Sequence, residues 1–399
     1  MSANQAWSYS GGAGTPHDPY QIATAEDLIQ LGNTFDGYGL SYVLTQDIDL
    51  SAHSFSQAVI ARAIWPTEYQ MERDAFTGFF DGQGHVVRHM NIQGQGWLGL
   101  FGGLAPGGVV CNVRLEQASV SSTGDQTGAL VGLNEGLVLS CSVQGEVHGQ
   151  ALIGGLIGLN RGAVVNSYSD SVVTGSGGIG GLVGTNEYGM VQCAYSLGSV
   201  SGLEHAGGLV GRNWGGTVSN AYSAASVTGQ FTAGGLVGDN PGPGEGYPEG
   251  TVVNSFWDIQ ASGPTDSQAG TGLTTEQMNS PDTFLSAGWD FTGELANGTC
   301  ETWSMPEANG TPQLQWFQAS VLDLAGLGSP ESPYLISNAS DLGRIMYAPA
   351  AHYCLSHTID LTGIQWARSV VPHFAGALDG NNLEVKALSL AGGAHMGLI

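Results

Sequence analysis

The side chains best suited to chemistry lie near the start of the chain. Asp47, Asp49 and Asp81 offer hard oxygen ligands of the kind calcium takes, and His53 and His85 lie among them. No EF-hand loop and no Gly-Asp nonapeptide follows. Asp49 and Asp81 recur as Asp360 and Asp379, and the Asp-Gly pairs at 81–82 and 379–380 read first as hairpin turns. His85 is matched by Asn382, which argues against a catalytic histidine. No cofactor is therefore expected, with calcium on Asp47, Asp49 and Asp81 as the one candidate. Glu135, Glu187 and Asp239 are the other acids to weigh. A paired-carboxylate hydrolase needs two acids on one face, and these three read as scattered, solvated turn residues. A polysaccharide lyase needs a base and cationic help, yet residues 98–257 hold only Arg114, Arg161 and Arg212 as fixed cations. The expectation is a protein that is not an enzyme.

One array of small hydroxyls is more regular. SVS (119–121), EVH (146–148), VVT (172–174), SVS (199–201) and SVT (226–228) recur, each with a central Val. In a strand, neighbours of an inward Val point outward. Ser119, Ser121, Thr174, Ser199, Ser201, Ser226 and Thr228 would then line two outward columns, interrupted by Glu146, His148 and Val172. Ser and Thr are good exposed strand residues. The same face could also contact a glycan or order water.

These columns are positioned by a repeat. GALVGLN (128–134), GGLIGLN (154–160), GGLVGTN (180–186), GGLVGRN (207–213) and GGLVGDN (234–240) end on Asn134, Asn160, Asn186, Asn213 and Asn240, a period of 26 or 27. A divergent copy, LGLFGGL (98–104), precedes them. Each is followed by a short run such as VVNSYS (164–169), VQCAYS (191–196) or VSNAYS (218–223), then by SVSG or SVTG. Short runs rich in Val, Ser and Tyr between Gly and Asn read as strands. About three strands per repeat suggest an all-β fold: a parallel β-helix or β-solenoid with small α/β caps, right-handed by the rule for parallel crossovers. Coils about 4.8 Å apart would stack like on like. Leu and Val would fill the interior. Tyr168, Tyr195 and Tyr222 would form an aromatic ladder ending at Phe256, and the asparagines a ladder of amides.

At this point the sequence resembles a known family. GGLVGxN followed by VxNxYSxGxVxG is similar to the GLUG repeat, over roughly residues 98–257. The resemblance implies a β-helical module of large bacterial surface or secreted proteins, adhesin-like proteins among them, and of non-catalytic regions of immunoglobulin A peptidases. The peptidase activity of such proteins needs an HExxH zinc helix, which this sequence lacks. The implied role is a non-catalytic, extracellular structural or adhesive module contacting a glycan or host-surface ligand. The alternative is a carbohydrate-active enzyme, a polysaccharide lyase or hydrolase, or a carbohydrate-binding domain on a β-helix.

Composition agrees with an extracellular or cell-surface setting. The 399 residues carry a formal charge of −25, with Lys386 the single lysine. That excludes the basic footprint of nucleic-acid binding and disfavours anionic membrane surfaces. No apolar run is long enough for a membrane helix, and the first residues lack the charged and apolar regions of a signal peptide. Five cysteines, Cys111, Cys141, Cys193, Cys300 and Cys354, fit no zinc pattern. Aligned on the tyrosines, Cys111 and Cys193 fall at the position of Asn166 and Cys141 one residue later, so no disulfide is expected among them.

The flanks complete the organisation. Residues 1–97 read as an N-terminal cap with a helix near 24–31 that could cover an open solenoid end. Residues 98–257 are the solenoid. Residues 258–318 are a closing cap packed around Trp257, Trp289, Trp303 and Trp316, with a short helix starting after Thr274. GSPESPYLISNASDLGRI (328–345) parallels GTPHDPYQIATAEDLIQL (14–31), so 319–399 would begin a second module, and the chain would be part of a longer tandem protein.

Overall fold

A computed structural model describes residues 8–62, 75–242, 248–264, 266–294, 297–299, 302–306, 310–315, 324–345, 348, 351–366, 369–371, 374, 376–390 and 397–399. Its contacts divide the chain into two compact units, Met1–Thr275 and Glu276–Ile399.

The first unit is a parallel β-solenoid of about ten coils. One coil runs Ala151–Gly154, Ile157–Asn160, Ala163–Val165 and Tyr168–Thr174. Each coil thus has four strands, where the sequence reading expected three. The GGLIG run, read as one strand, bends between Gly154 and Ile157. The VVNSYS run bends at Asn166. That corner stacks Asn112, Ser140, Asn166, Cys193, Asn220 and Asn254, all left-handed with φ between 48° and 55°. Asn tolerates this conformation better than most residues, because its short amide can bond locally.

Like strands pair in register from coil to coil and build four faces. Among the described residues the back face has nine strands, Tyr20–Ile22 through Thr251–Val253, and the broad face eleven, Ile48–Asp49 through Thr271–Leu273. A ladder face of six strands includes Val131–Asn134, and a short face of five includes Thr127–Gly128. Val131, Ile157, Val183, Val210 and Val237 pair in sequence and are fully buried in one continuous core.

The glycines of the repeat are explained by close approach. A methyl group on Gly181 would lie 2.9 Å from Cβ of Ser196, and one on Gly208 would lie 2.3 Å from Oγ of Ser223. The second Gly of GGLVG is closed in by the Ser of the following Tyr-Ser and, closer still, by the next coil's backbone: the methyl would lie 2.1 Å from the Gly208 carbonyl oxygen at Gly181 and 2.1 Å from that of Gly235 at Gly208. The third Gly meets backbone: a methyl on Gly211 would lie 2.5 Å from the nitrogen of Ile179 and 2.6 Å from the carbonyl carbon of Gly178. Here the strand after one corner lies against the ladder-face strand of the next coil, and only hydrogen fits.

Two ladders run along the stack. Asn134 Nδ2 donates to Asn160 Oδ1 (2.7 Å), Asn160 to Asn186 (2.8 Å), Asn186 to Asn213 (2.9 Å) and Asn213 to Asn240 (3.1 Å). Asn134, Asn160, Asn186 and Asn213 are fully buried, so each bond is protected from competing water. Tyr168 stacks on Tyr195 at 4.7 Å and 2°, and Tyr195 on Tyr222 at 5.0 Å and 8°. Phe256 is in register with Tyr222.

The first residues belong to the same stack. Tyr20–Ile22 pairs with Ser41–Leu44, which pairs with Phe79–Asp81, which pairs with Val109–Cys111. The back face and the core thus cross position 97 without a break. Helix Ala25–Gly32 lies in the chain between the first two of these strands. Its capping box is complete: Thr24 Oγ1 accepts from the Asp27 amide, and Asp27 accepts from the Thr24 amide. Its Leu28 and Leu31 join the continuous core. The Asp-Gly pair at 81–82 is not a hairpin. Phe79–Asp81 and Val86–Arg88 sit on different faces, so it turns a corner of a parallel coil. At the far end Phe256–Asp258 pairs with Thr271–Leu273, and the stack extends past 257.

In the second unit the opening pattern returns. Tyr334–Ile336, helix Ala339–Arg344, His352–Leu355, Ile359–Asp360, Ala377–Asp379 and Val385–Lys386 follow in the order of their counterparts. Tyr334 pairs with Tyr353 as Tyr20 pairs with Tyr42. The tryptophans do not gather in one cap. Trp257 joins the solenoid core, while Trp289 and Trp303, rings 4.6 Å apart and fully buried, belong to the second unit with Phe284. Trp316 and Cys300 lie outside the described residues.

Candidate functional site

The outward columns of the broad face fall in register. Ser119, Glu146, Val172, Ser199 and Ser226 pair in turn, as do Ser121, His148, Thr174, Ser201 and Thr228. Val120, Val147, Val173, Val200 and Val227 between them are buried. The columns extend one coil further than the sequence reading placed them, because Asn91 pairs with Ser119 and Gln93 with Ser121. Within the face His148 bridges two coils: Nδ1 lies 2.6 Å from Thr174 Oγ1 and Nε2 3.5 Å from Glu146. Val172 is 42% exposed, so the face is amphipathic at its centre.

Asp47, Asp49 and Asp81 do not converge. Asp47 accepts from the Val86 amide (3.1 Å) and Arg88 Nη1 (3.0 Å), and lies 3.3 Å from His85 Nδ1. Asp49 accepts from the Ser51 amide (2.9 Å) and sits 2.9 Å from His89 Nδ1. The Ser51 amide first, and His89 second, hold the Asp49 carboxyl down to about 2. Asp81 accepts from the Gln83 amide and Asn112 Nδ2. His53 lies against Phe55. Among the described residues no three of His, Cys, Asp and Glu are grouped to hold a cation. The recurrence has a structural reason instead. Asp360 accepts from the Thr362 amide, and Asp379 from the Asn381 amide, as Asp49 and Asp81 do two residues on. The repeated Asp closes an Asx turn.

Glu135 and Glu187 are not scattered. Their registry puts Arg161 between them, 3.6 Å from Glu135 and 2.9 Å from Glu187. Asp239 accepts from Trp214 Nε1 (3.2 Å) and lies 3.8 Å from His205 Nδ1. Burial and then Arg212 push the His205 imidazole below its usual range. Glu135 and Glu187 thus share one arginine across three coils, and Asp239 has its partners on the coil before it.

Among the described residues Cys111, Cys141, Cys193 and Cys354 form no disulfide. Cys141 lies in register with Ser167, whose Oγ accepts its amide, and Cys193 stands at the Asn166 corner. Cys111 does not. It pairs with Leu139, one position earlier than expected. Its coil has Arg114, and the next Ser142, in the column that later holds Tyr168, Tyr195 and Tyr222, and the register shifts where Gln117 bulges. Burial pushes the Cys111 thiol up and the Cys141 thiol up to about 12.

The sequence reading missed a groove of about 480 Å³ at the broad-to-short corner of the early coils. Trp97, Gln95, Thr123, Asp125, Gln126 and Gln150 line it. Its signal in the sequence is a departure from the repeat, since the corner filled by Trp97 holds Gln126, Leu152, Gly178 and His205 in the coils that follow.

With registry and corners established, the comparisons fall into place. Residues 202–228 match the family model of the GLUG motif. The chain thus carries a GLUG motif in that coil. Halomucin of Haloquadratum walsbyi is 36% identical over 146 residues, 36% of this chain and 2% of that protein. A provisionally named Gly-rich membrane protein of Evansella cellulosilytica is 31% identical over 140 residues, 34% of this chain and 16% of that protein. The chain therefore spans a small part of either relative. A crystal structure of a Bacteroides ovatus protein, provisionally named an immunoglobulin A1 protease, aligns over 77% of this chain and 95% of its own, with a TM-score of 0.54 and 21% identity. At that identity the likeness is one of fold. No helix among the described residues is long and apolar enough to cross a membrane.

Proposed function

We propose that the chain is a non-catalytic module of a surface protein, serving as a stiff spacer that contacts glycans along its broad face. The observation that carries this reading is the continuous parallel stacking from Tyr20 to Leu273, cross-linked by buried amide and aromatic ladders, with a second opening segment at Tyr334. Such a stack grows by adding coils, and each new coil adds reach and another row of the same outward columns. The name of the Gly-rich membrane relative supports a surface setting. A charge of −25 with one lysine supports it too, since dense acidity keeps a chain soluble in a salty exterior. The test is incubation with a polysaccharide panel, reading binding and, separately, new reducing ends and unsaturated products. Binding without products is expected. Turnover of any polymer would replace this reading with that of a carbohydrate-active enzyme. Immunolabelling of intact cells that finds the protein only in the cytosol would remove the surface assignment.

A further inference from the structure

We propose that the Trp97 groove is a binding subsite for a neutral sugar residue, resting on the glycan-contact reading above and locating it at one place on the solenoid. The groove holds about 480 Å³, within the usual range for small-molecule sites. Trp97 is half-buried and supplies an indole to the lining. An aromatic face takes the apolar C–H side of a pyranose, while planar amides answer its hydroxyls as both donors and acceptors. Gln95, Gln126 and Gln150 provide such amides, Thr123 a hydroxyl and Asp125 a carboxylate. No cation is among the lining residues, and the chain around it is strongly acidic. Uronic or sulfated sugars would therefore be repelled.

The site is held rigidly before any ligand arrives. Trp97 and Gln126 are left-handed, with φ of 54° and 58°. Each is locked by the coil that follows: a methyl on Gly132 would lie 2.8 Å from the Trp97 carbonyl carbon, and one on Gly158 2.6 Å from that of Gln126. The Trp97 amide donates to the Asp125 carbonyl (3.0 Å). Asp125 Oδ1 accepts from the Ala151 amide (3.1 Å). Ser122 Oγ accepts from the Gly96 and Gly124 amides (2.9 and 3.0 Å). Gly96 and Gly124 keep this part of the groove clear of side chains. Leu152, Gly178 and His205 fill the equivalent corner later in the stack, so the aromatic belongs to this place and not to the repeat. A departure from a repeat is where function is expected to show.

The experiment uses the full chain with laminarin, dextran and galactomannan as neutral probes and alginate and heparin as anionic ones, titrated calorimetrically. At least one neutral probe should bind and neither anionic one. Trp97→Ala should weaken that binding by about tenfold or more, Trp97→Phe should keep most of it, and Gln150→Ala should weaken it less. Thr251→Ala, at an exposed position on the back face, should leave it unchanged. Circular dichroism identifies any variant that fails to fold, and the exposed Gln150 then carries the test. Neutral binding that survives both Trp97→Ala and Gln150→Ala overturns the groove and leaves glycan contact elsewhere on the face. Binding of only the anionic probes overturns the chemistry assigned to it. Failure of every probe to bind overturns the groove together with the glycan-contact reading.

Discussion

The opening coils and the regular coils share one stack but are held together differently. In residues 20–104 the interior is a mixed aromatic cluster: Phe76 and Phe101 lie 5.3 Å apart, Phe80 and Phe101 5.4 Å, and Tyr42 and Phe76 6.1 Å. In residues 127–240 the interior is a set of registered columns, several of them of like residues: Val and Ile on the ladder face, Val on the broad face, and the stacked Asn and Tyr. The first arrangement concentrates stability in a few large side chains. The second spreads it over many small, equivalent contacts, each made with the neighbouring coil alone. Among the described residues Tyr20–Ile22 is an edge strand of the back face, and the aromatic cluster lies in the coils next to that edge.

The largest expected effect strikes the opening. Phe80→Ala, at a fully buried position, should destabilise the first unit by about 3–5 kcal/mol, read as a lowered denaturant midpoint. If the loss is under about 1 kcal/mol, the aromatic cluster is not what holds the opening. Next is Gly211→Ala, whose methyl would press on backbone that cannot rotate away. It should destabilise the regular coils by about 1–3 kcal/mol or more. Hydrogen exchange should localise the loosening to neighbouring coils and leave residues 20–50 protected. Asn186→Ala removes a ladder member: the buried Asn213 Oδ1 loses the Asn186 donor, and Asn160 Nδ2 keeps only its longer bonds to the Gly162 and Met190 carbonyls, 3.3 Å each. About 1–3 kcal/mol is expected. In double-mutant cycles Asn160 with Asn186 should couple, while Asn134 with Asn240 should be additive.

A stabilising change would sharpen the contrast. Cys193 is left-handed in a column otherwise containing four asparagines, and the Asn166 amide one coil away is buried without a hydrogen-bond partner. Cys193→Asn should raise the melting midpoint by the equivalent of about 1 kcal/mol. Acid gives the smallest effect and separates the regions by chemistry. The Asp49 carboxyl is held at about 2 in the folded protein, below its unfolded value of about 3.9. Its contribution is therefore present above about pH 4 and lost as pH falls through about 2. The amide ladders do not titrate. Exchange protection measured down the pH scale should fall first around Asp49 and later at residues 134–240.

The regular coils were the legible part. The period, the stacked asparagines and the tyrosine stack could be read because identical side chains recur at 26 or 27 residues. Bends were not legible where both sides of the bend are apolar or glycine, and so the fourth strand was missed at Gly155-Leu156. The corner at Asn166 had its signal in Asn112, Asn220 and Asn254, which the strand reading absorbed. Cys111 was misplaced by one because its coil lacks the tyrosine marker and carries a bulge. The opening hid its membership of the stack, since its strands share no motif with the repeat and are recognised only by pairing. The groove was missed for the opposite reason: attention to what repeats passes over the single tryptophan that does not.

The constant spacing of registered partners also governs how the chain finds its structure. In the regular coils every strand closes on a partner 26 or 27 residues away, whatever the total length. The entropy of closing each loop is therefore the same small increment at every step. Once the aromatic opening has formed, assembly can proceed as a zipper from the N-terminal end, with the last completed coil as template for the next. For an all-β chain of this size that is a low contact order, and folding should slow little as coils are added.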